Sequence, residues 1–416
     1  MSPQSAQYWE KMQESSTSRL NFEACLKCSI CNTVCPMMAV NGSYPGPKKA
    51  GPDQERYRLK DPAFYDYALK YCLNCKRCEV ACPSGVKVAD LIQTARLKYA
   101  PRSSHPVRDA MLASTDFMGT LASPFAPIVN GVLPLKPVKA VLDGAFGISS
   151  KRTFPKYSRG KFVTWFRKEA APAQGAFGRY VSYFHGCYGN YNYPQLGKDF
   201  VKVLNAAGYG VHLLEKERCC GVALMANNMG KQAARNAAVN IGSFTKALVK
   251  DEAVLTSSSS CTFTLREEYK EVLGMETTAY KDKLMLACKW LYEKIEAGEV
   301  HLRFDPGFRM DLAYHTACHM QKLGWQDYTI RLLRMIPGVS LTVLDQNCCG
   351  IAGTFGFKKE YYTYAQAIGE RLFEDIKAAA PQAVVTECET CKWQIEMSTG
   401  VPVMNPISVL AAAIKP

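Results

Sequence analysis

The chain has 416 residues, 48% of them hydrophobic, which is enough for two or three domains that each bury a core. Its 51 lysines and arginines against 37 aspartates and glutamates give a net charge of +14, which suits an anionic partner such as nucleic acid, a membrane or an acidic protein. Its 18 cysteines would suit a secreted disulfide protein, but residues 1–20 are polar and lack the apolar core of a signal peptide. We therefore expect a cytosolic protein whose reduced cysteines can bind metal.

Residues 1–20 are expected to form a flexible tail. Two cysteine runs follow, and each has the spacing C-x2-C-x2-C-x3-C-P that is typical of bacterial [4Fe–4S] ferredoxins. In this pattern three cysteines of a run bind one cluster and the fourth reaches the other cluster. The spacing therefore predicts one cluster on Cys25, Cys28, Cys31 and Cys82, and a second on Cys72, Cys75, Cys78 and Cys35. Two complete copies argue against chance, disulfides and zinc, because structural zinc usually takes its ligands as two pairs.

The region around these runs shows little strand pattern. Residues 41–52 are rich in glycine and proline, whereas residues 61–71 and 88–99 are predicted helices. We predict a mainly α-helical two-cluster ferredoxin domain over residues 21–100. Lys27, Lys76 and Arg77 lie in the cysteine loops, where they either raise the cluster potentials or are ordinary solvated side chains.

Residues 101–175 are predicted to be a basic, aromatic linker, and residues 100–168 supply +8 of the net charge. Residues 117–135 carry no charge, but their prolines and glycines argue against a membrane span. Residues 151–168 interleave cations with aromatic side chains, which favours a segment on an anionic membrane surface over a connector packed on its own protein. The aromatic residues are Phe154, Tyr157, Phe162, Trp165 and Phe166.

From about residue 179 the pattern alternates between strand and helix, and it recurs at an offset of about 130 residues. We predict strands at 180–184, 211–214, 253–257, 311–314, 341–344 and 383–386, and helices at 195–207, 231–250 and 360–379. The duplication predicts two α/β repeats, residues 176–300 and 301–416, each with a Cys-Cys-Gly triplet. The whole chain is thus predicted to be an α+β multidomain protein, with a helical ferredoxin domain before two tandem α/β repeats.

Each repeat places its cysteines just after predicted strands, so they should meet at the carboxyl end of a sheet. The second repeat supplies five thiols, one more than a cubane needs, and an unusual cluster is predicted on Cys318, Cys348, Cys349, Cys388 and Cys391. In the first repeat Ser258 stands where Cys388 stands in the second. The four remaining thiols could hold zinc, a simpler cluster or nothing; they are Cys187, Cys219, Cys220 and Cys261. Cys288 is predicted to be a core residue, and the histidines are left out of the site.

This combination of motifs resembles the cysteine-rich iron–sulfur subunits of heterodisulfide reductase, glycolate oxidase and anaerobic glycerol-3-phosphate dehydrogenase. The similarity extends from about residue 21 to the end. Five longer stretches of sequence narrow the resemblance to the glycerol-3-phosphate dehydrogenase branch. These stretches are residues 44–48, 71–83, 123–130, 348–360 and 388–399. The resemblance implies a noncubane [4Fe–4S] cluster on the five-cysteine set, as in the heterodisulfide reductase relatives.

The same resemblance implies a peripheral subunit on the cytoplasmic face of a bacterial inner membrane. It would anchor the flavin-containing A and B dehydrogenase subunits and pass their electrons to menaquinone in anaerobic respiration. No dinucleotide fingerprint is present, so the flavin and glycerol-3-phosphate should be handled by other chains and no catalytic residue is assigned here. The alternatives are a free-standing disulfide reductase or a component of another quinone-linked 2-hydroxyacid oxidase. Nucleic-acid binding is not expected, because no known nucleic-acid fold accompanies the basic residues.

Overall fold

The computed structural model describes residues 21–61, 64–100 and 103–415. The predicted tail, residues 1–20, lies outside these ranges.

The N-terminal region is helical, as predicted. Its helices are α1 (Ile30–Thr33), α2 (Pro36–Val40), α3 (Gln54–Arg58), α4 (Arg77–Val80) and α5 (Val88–Tyr99). The predicted helix at 88–99 is confirmed. The helix predicted at 61–71 is wrong in extent over the described residues 64–71, where a 3-10 turn, Tyr67–Tyr71, forms and the Asp66 side chain starts it by accepting from the Ala68 N–H. Residues 62 and 63 of that prediction lie outside the described ranges.

Short helices fill the predicted linker. They are α6 (Pro106–Ala113), α7 (Thr115–Ala122), α8 (Ala126–Val132), α9 (Lys136–Phe146), α10 (Phe162–Trp165) and α11 (Ala171–Gln174). Within the described ranges no single helix has the length and composition of a membrane span. One pair of helical segments, Thr115–Val132 and Lys136–Phe146, has the length and composition of a span when the two are taken together, but the pair is bent by 108°.

The two repeats each form a four-stranded parallel sheet. The strands are β1 (Tyr180–Phe184), β2 (Gly210–Leu213), β3 (Val254–Thr256), β4 (Leu284–Leu286), β5 (Met310–Tyr314), β6 (Val339–Val343), β7 (Ala383–Val385) and β8 (Val403–Met404). Their orders are β2-β1-β3-β4 and β6-β5-β7-β8, the same topology twice. All six predicted strands are confirmed to within two residues at each end. Strands β4 and β8 were not predicted.

The helices of the repeats cover both faces of the sheets. They are α12 (Pro194–Ala206), α13 (Val222–Ala226), α14 (Gly230–Ala247), α15 (Ser259–Phe263), α16 (Tyr269–Glu271), α17 (Ala287–Glu296), α18 (Cys318–Leu323), α19 (Gln326–Arg334), α20 (Tyr362–Ala379), α21 (Glu389–Thr399) and α22 (Pro406–Ala413). The repeats share one core, in which Tyr183 and Phe200 of the first pack in the same cluster as Tyr314 and Leu410 of the second. Continuous burial of this kind holds both sheets in one body.

The aromatic side chains of residues 151–168 belong to the protein interior, so their predicted exposure to a membrane is wrong. Phe162 and Phe166 are fully buried in the shared core, and Phe154 and Trp165 pack against core clusters. Arg152 is also buried. The segment is therefore a connector packed on its own protein, because burying these large rings removes far more apolar surface from water than leaving them exposed.

Candidate metal centres

The two ferredoxin loops have the same backbone shape. In each loop the residues on both sides of the middle cysteine adopt left-handed conformations, with φ of 58° and 64° at Lys27 and Ser29 and of 54° and 63° at Asn74 and Lys76. Such conformations are costly for residues with a side chain and are found where the surroundings require them. Here they curl each run so that its three cysteines face inward.

The structure brings the fourth cysteine of each run to the other run. Burial and the neighbouring thiols of Cys25, Cys82 and Cys28 raise the pKa of Cys31 to about 11. Burial and the thiols of Cys75 and Cys72 likewise raise the pKa of Cys35 to about 12. The groups formed are those that the spacing predicts, and their iron ligation stays a prediction.

The thiols of each group fit an iron–sulfur cluster by their chemistry. Soft sulfur donors are typical of such clusters. Burial and mutual repulsion disfavour the thiolate in the second group and raise the pKa of Cys78 well above its usual value, a cost that bound iron would offset. The buried Tyr44 donates a hydrogen bond to the Cys72 sulfur and lowers its pKa against the effect of burial. Tyr44 is not among the residues predicted for this site, although it begins one of the strings that carry the family resemblance.

Lys76 is neither a solvated side chain nor an isolated cation. It is fully buried, contacts the carboxylate of Asp90 and lies 3.2 Å from Oε1 of Glu268, which also accepts from Asn74 at 2.7 Å. Glu268 belongs to the first repeat. The lysine next to Cys75 therefore joins the ferredoxin region to that repeat through buried charges.

In the second repeat the five cysteines gather at the carboxyl ends of β5, β6 and β7. The sulfurs of Cys349 and Cys391 are 3.3 Å apart, and the Gly350 N–H donates to the Cys348 sulfur at 3.4 Å. Gly350 has a φ of 83°, and a Cβ there would lie 2.0 Å from the Ala365 carbonyl oxygen. Only glycine fits, which explains the triplet Cys-Cys-Gly.

In the first repeat the four cysteines occupy the matching places, and Ser258 takes the place of Cys388. Both residues precede a helix with nearly the same backbone, φ −121° and ψ 122° against φ −123° and ψ 113°. The Ser258 hydroxyl donates to Glu389 of the second repeat at 2.9 Å and accepts from the Cys261 N–H. In the described part of the chain no three His, Cys, Asp or Glu side chains converge as a single metal ion requires. A four-iron cluster spreads its thiolates over several irons and does not need that convergence.

Both cysteine sets and the ferredoxin region meet at one cavity of about 180 Å³. The cysteines that line it are Cys75, Cys187, Cys219, Cys220, Cys261, Cys318, Cys348, Cys349, Cys388 and Cys391. The thiol of Cys75 also helps, after burial, to raise the pKa of Cys318. Sequence spacing could group the cysteines of each repeat, but only the packed fold puts the two sets on either side of a shared space.

The remaining candidates are structural neighbours of these sites. Cys288 is buried in the shared core, as predicted. His315 is buried, and it helps to lower the pKa of Cys349 after the larger effects of Cys348 and Cys391. His185 and His319 line the cavity.

Two family models match the chain: a 4Fe-4S dicluster domain over residues 21–86, and a cysteine-rich domain over residues 181–266 and again over 312–396. The chain is 54% identical over 395 residues to the C subunit of anaerobic glycerol-3-phosphate dehydrogenase from Escherichia coli (strain K12), a match that covers 95% of this chain and 99% of the relative. It is 25% identical to the glycolate oxidase iron-sulfur subunit of the same strain, with 94% of each chain covered. A lactate utilization protein A of Bacillus anthracis is 30% identical over 43% of this chain and 74% of its own.

Proposed function

Because this chain belongs to the family of anaerobic glycerol-3-phosphate dehydrogenase C subunits, as the resemblance of its longer sequence strings implied, we propose that it is the electron-transfer and membrane-anchoring subunit of such a complex. It receives electrons from the flavin-containing A and B subunits that oxidise glycerol-3-phosphate. It passes them to menaquinone at the cytoplasmic face of a bacterial inner membrane.

The observation that carries this proposal is the continuity of the cysteine groups. Cys75 of the second ferredoxin group lines the cavity that both repeats share, and burial together with the neighbouring thiols raises the pKa of Cys318 across that space. An uninterrupted series of sulfur sites suits transfer of single electrons between partners better than chemistry on one substrate.

When bound, two [4Fe–4S] clusters on the ferredoxin groups would supply one-electron chemistry. The five-cysteine set would hold a noncubane [4Fe–4S] cluster, whereas the four-cysteine set lacks the fifth thiolate of such a cluster. The chain's own residues cover the sulfurs of these sites partly or fully, apart from the exposed Cys28, and set the charge around them. Tyr44 donates a hydrogen bond to the Cys72 sulfur of the second group. Lys76 anchors the loop that carries Cys75 through its ion pair with Glu268.

Co-purification with the flavin-containing A and B subunits tests the proposal. With all three chains present, glycerol-3-phosphate should reduce the iron–sulfur centres, as seen by EPR, and added menaquinone should reoxidise them. This chain alone should show no reduction by glycerol-3-phosphate. Reduction of a small disulfide by the isolated chain at the same rate as by the complex would instead favour the free-standing reductase.

A further inference from the structure

The helices α7 to α9, residues 115–146, form an arm whose large apolar side chains lie in solvent. They follow a spacing of 4, 4, 3 and 4 residues, so they occupy one side of the nearly continuous helical segment α7–α8. We call this side the apolar face, and its members are between 41% and 67% exposed: Phe117, Leu121, Phe125, Ile128 and Val132.

The opposite side of the same segment is built from small residues that pack on the protein. Gly119, Ala122, Ser123 and Ala126 are buried at the spacing of one helical face. A Cβ at Gly119 would lie 2.4 Å from the ring of Tyr191, so only glycine allows this approach. The usual arrangement, in which large apolar side chains face the core, is reversed here.

Hydrogen bonds hold the arm in this orientation. The hydroxyls of Thr120 and Tyr191 are 3.0 Å apart, and the Asn130 side chain donates to the Tyr157 carbonyl at 2.8 Å while accepting from its N–H at 2.9 Å. The apolar face is therefore directed outward by specific contacts, and it lies opposite the side that packs on the protein.

The charges around the face favour an anionic surface. The arm contains two carboxylates, and both have partners within the chain: Asp116 accepts from the Cys219 N–H at 2.7 Å, and the half-buried Asp143 accepts from the Ser150 N–H at 2.9 Å and pairs with Lys359. Lys136 is exposed at the end of the uncharged stretch. The exposed Lys156 and Arg159 flank Tyr157, which holds the arm.

We infer that the apolar face of the arm docks in the headgroup region of an anionic lipid bilayer, lying along its surface and not crossing it. This inference rests on the proposed membrane location and names the surface responsible. Phe, Leu, Ile and Val on one side with nearby cations are typical of interfacial helices, and binding grows with the buried apolar area and with the charge of the lipids.

Flotation of the full-length protein with vesicles of phosphatidylglycerol and phosphatidylethanolamine tests the inference. The double variant Leu121→Gln/Ile128→Gln should bind at least about tenfold more weakly, because it removes two central apolar side chains. The matched control is Leu59→Gln/Val249→Gln, which changes two apolar side chains of similar or greater exposure outside the arm. Replacing Lys136, Lys156 and Arg159 by Gln should weaken binding to these vesicles and have little effect on phosphatidylcholine vesicles.

Iron content checks that each variant is folded. Equal vesicle binding by the arm variant and its control would overturn the inference. The inference would also be overturned if the arm variant no longer purified with the flavin-containing partners while its vesicle binding was unchanged. That result would make the face a protein interface. Reduction of the iron–sulfur centres by glycerol-3-phosphate in the detergent-solubilised complex separates the two proposals. The arm variant should retain this reduction. Loss of the reduction in every protein, including the unchanged one, would reject only the proposed function.

Discussion

Arg152 is a buried cation beside the five-cysteine set. Its guanidinium interacts electrostatically with Cys349, and burial lowers its pKa to about 10, so it keeps its charge at neutral pH. Nη1 donates to Gln394, whereas Nε and Nη2 have no hydrogen-bond partner in the described part of the chain. The centroid of the Phe357 ring lies 4.6 Å from the guanidinium carbon of Arg152. A cation held in this way favours the more negative, reduced form of a nearby redox centre.

We predict that Arg152→Gln lowers the reduction potential of the centre in the second repeat. A unit charge acting over about 10 Å at an effective dielectric constant of about 20 is worth ~1.7 kcal/mol, which corresponds to ~70 mV for one electron. A redox titration followed by EPR measures the shift. Arg152→Lys keeps the charge and should shift the potential less; a potential unchanged in Arg152→Gln would reject the electrostatic role.

Cys82 distinguishes the two ways of assigning the ferredoxin ligands. Because it lies with Cys25, Cys28 and Cys31 and not with its own run, Cys82→Ser should disturb the first cluster and leave the second intact. EPR of the reduced protein checks this, with Cys35→Ser as the reciprocal variant. Loss confined to the second cluster in Cys82→Ser would contradict the exchange of ligands.

At the scale of the element, the helices α15 and α21 begin in the same way but with different chemistry. Ser258 and Cys388 are their N-cap residues, and the Ser258 hydroxyl accepts from the backbone of its own helix. A hydroxyl is a good cap but a poor iron ligand at neutral pH. The element is therefore preserved while the fifth thiolate is lost.

We predict that Ser258→Cys lets the first repeat bind a cluster like that of the second, because the backbone already places residue 258 as it places Cys388. Anaerobic metal analysis should rise from about 12 irons per chain to about 16, given four irons per cluster. Ser258→Ala is the control and should add no iron. About 16 irons in the unchanged protein would show that Ser258 does not prevent cluster binding.

At the scale of the whole molecule, buried polar contacts tie the ferredoxin region to the repeats. Helix α5 donates from Gln93 to the Met225 carbonyl at 2.7 Å and from Arg96 to the Ala226 carbonyl at 2.8 Å. Lys76 adds the pair with Glu268. Unfolding of one part therefore exposes polar groups in the other.

Replacing Lys76 by Met should lower the free energy of unfolding by about 3–5 kcal/mol, because it leaves Asp90 and Glu268 as buried carboxylates without their shared cation. Urea unfolding followed by circular dichroism measures the change. Lys27→Met alters an exposed lysine of the other loop and should cost less than about 1 kcal/mol. Similar losses in both variants would show that the buried pair contributes little.

The sequence alone determined the local features of this protein. The spacing within each ferredoxin run and the recurrence of the repeats grouped the cysteines of each candidate site. Periodicity located β1, β3 and β5 closely, because a buried parallel strand is a short apolar run that needs no knowledge of its partners. The recurrence at about 130 residues revealed the duplication.

Only the tertiary structure decided which surfaces are inside. The aromatic residues of 151–168 favoured a membrane surface, and the prolines and glycines of 117–135 argued against a membrane span, yet Phe162 is buried in the core while Phe117 and Ile128 lie in solvent. Likewise the sequence left open whether Lys76 raises a cluster potential or is a solvated side chain, and the structure buries it between two carboxylates. Burial depends on which distant elements cover a side chain, and the free energy gained by covering it belongs to the packed assembly and not to the local pattern.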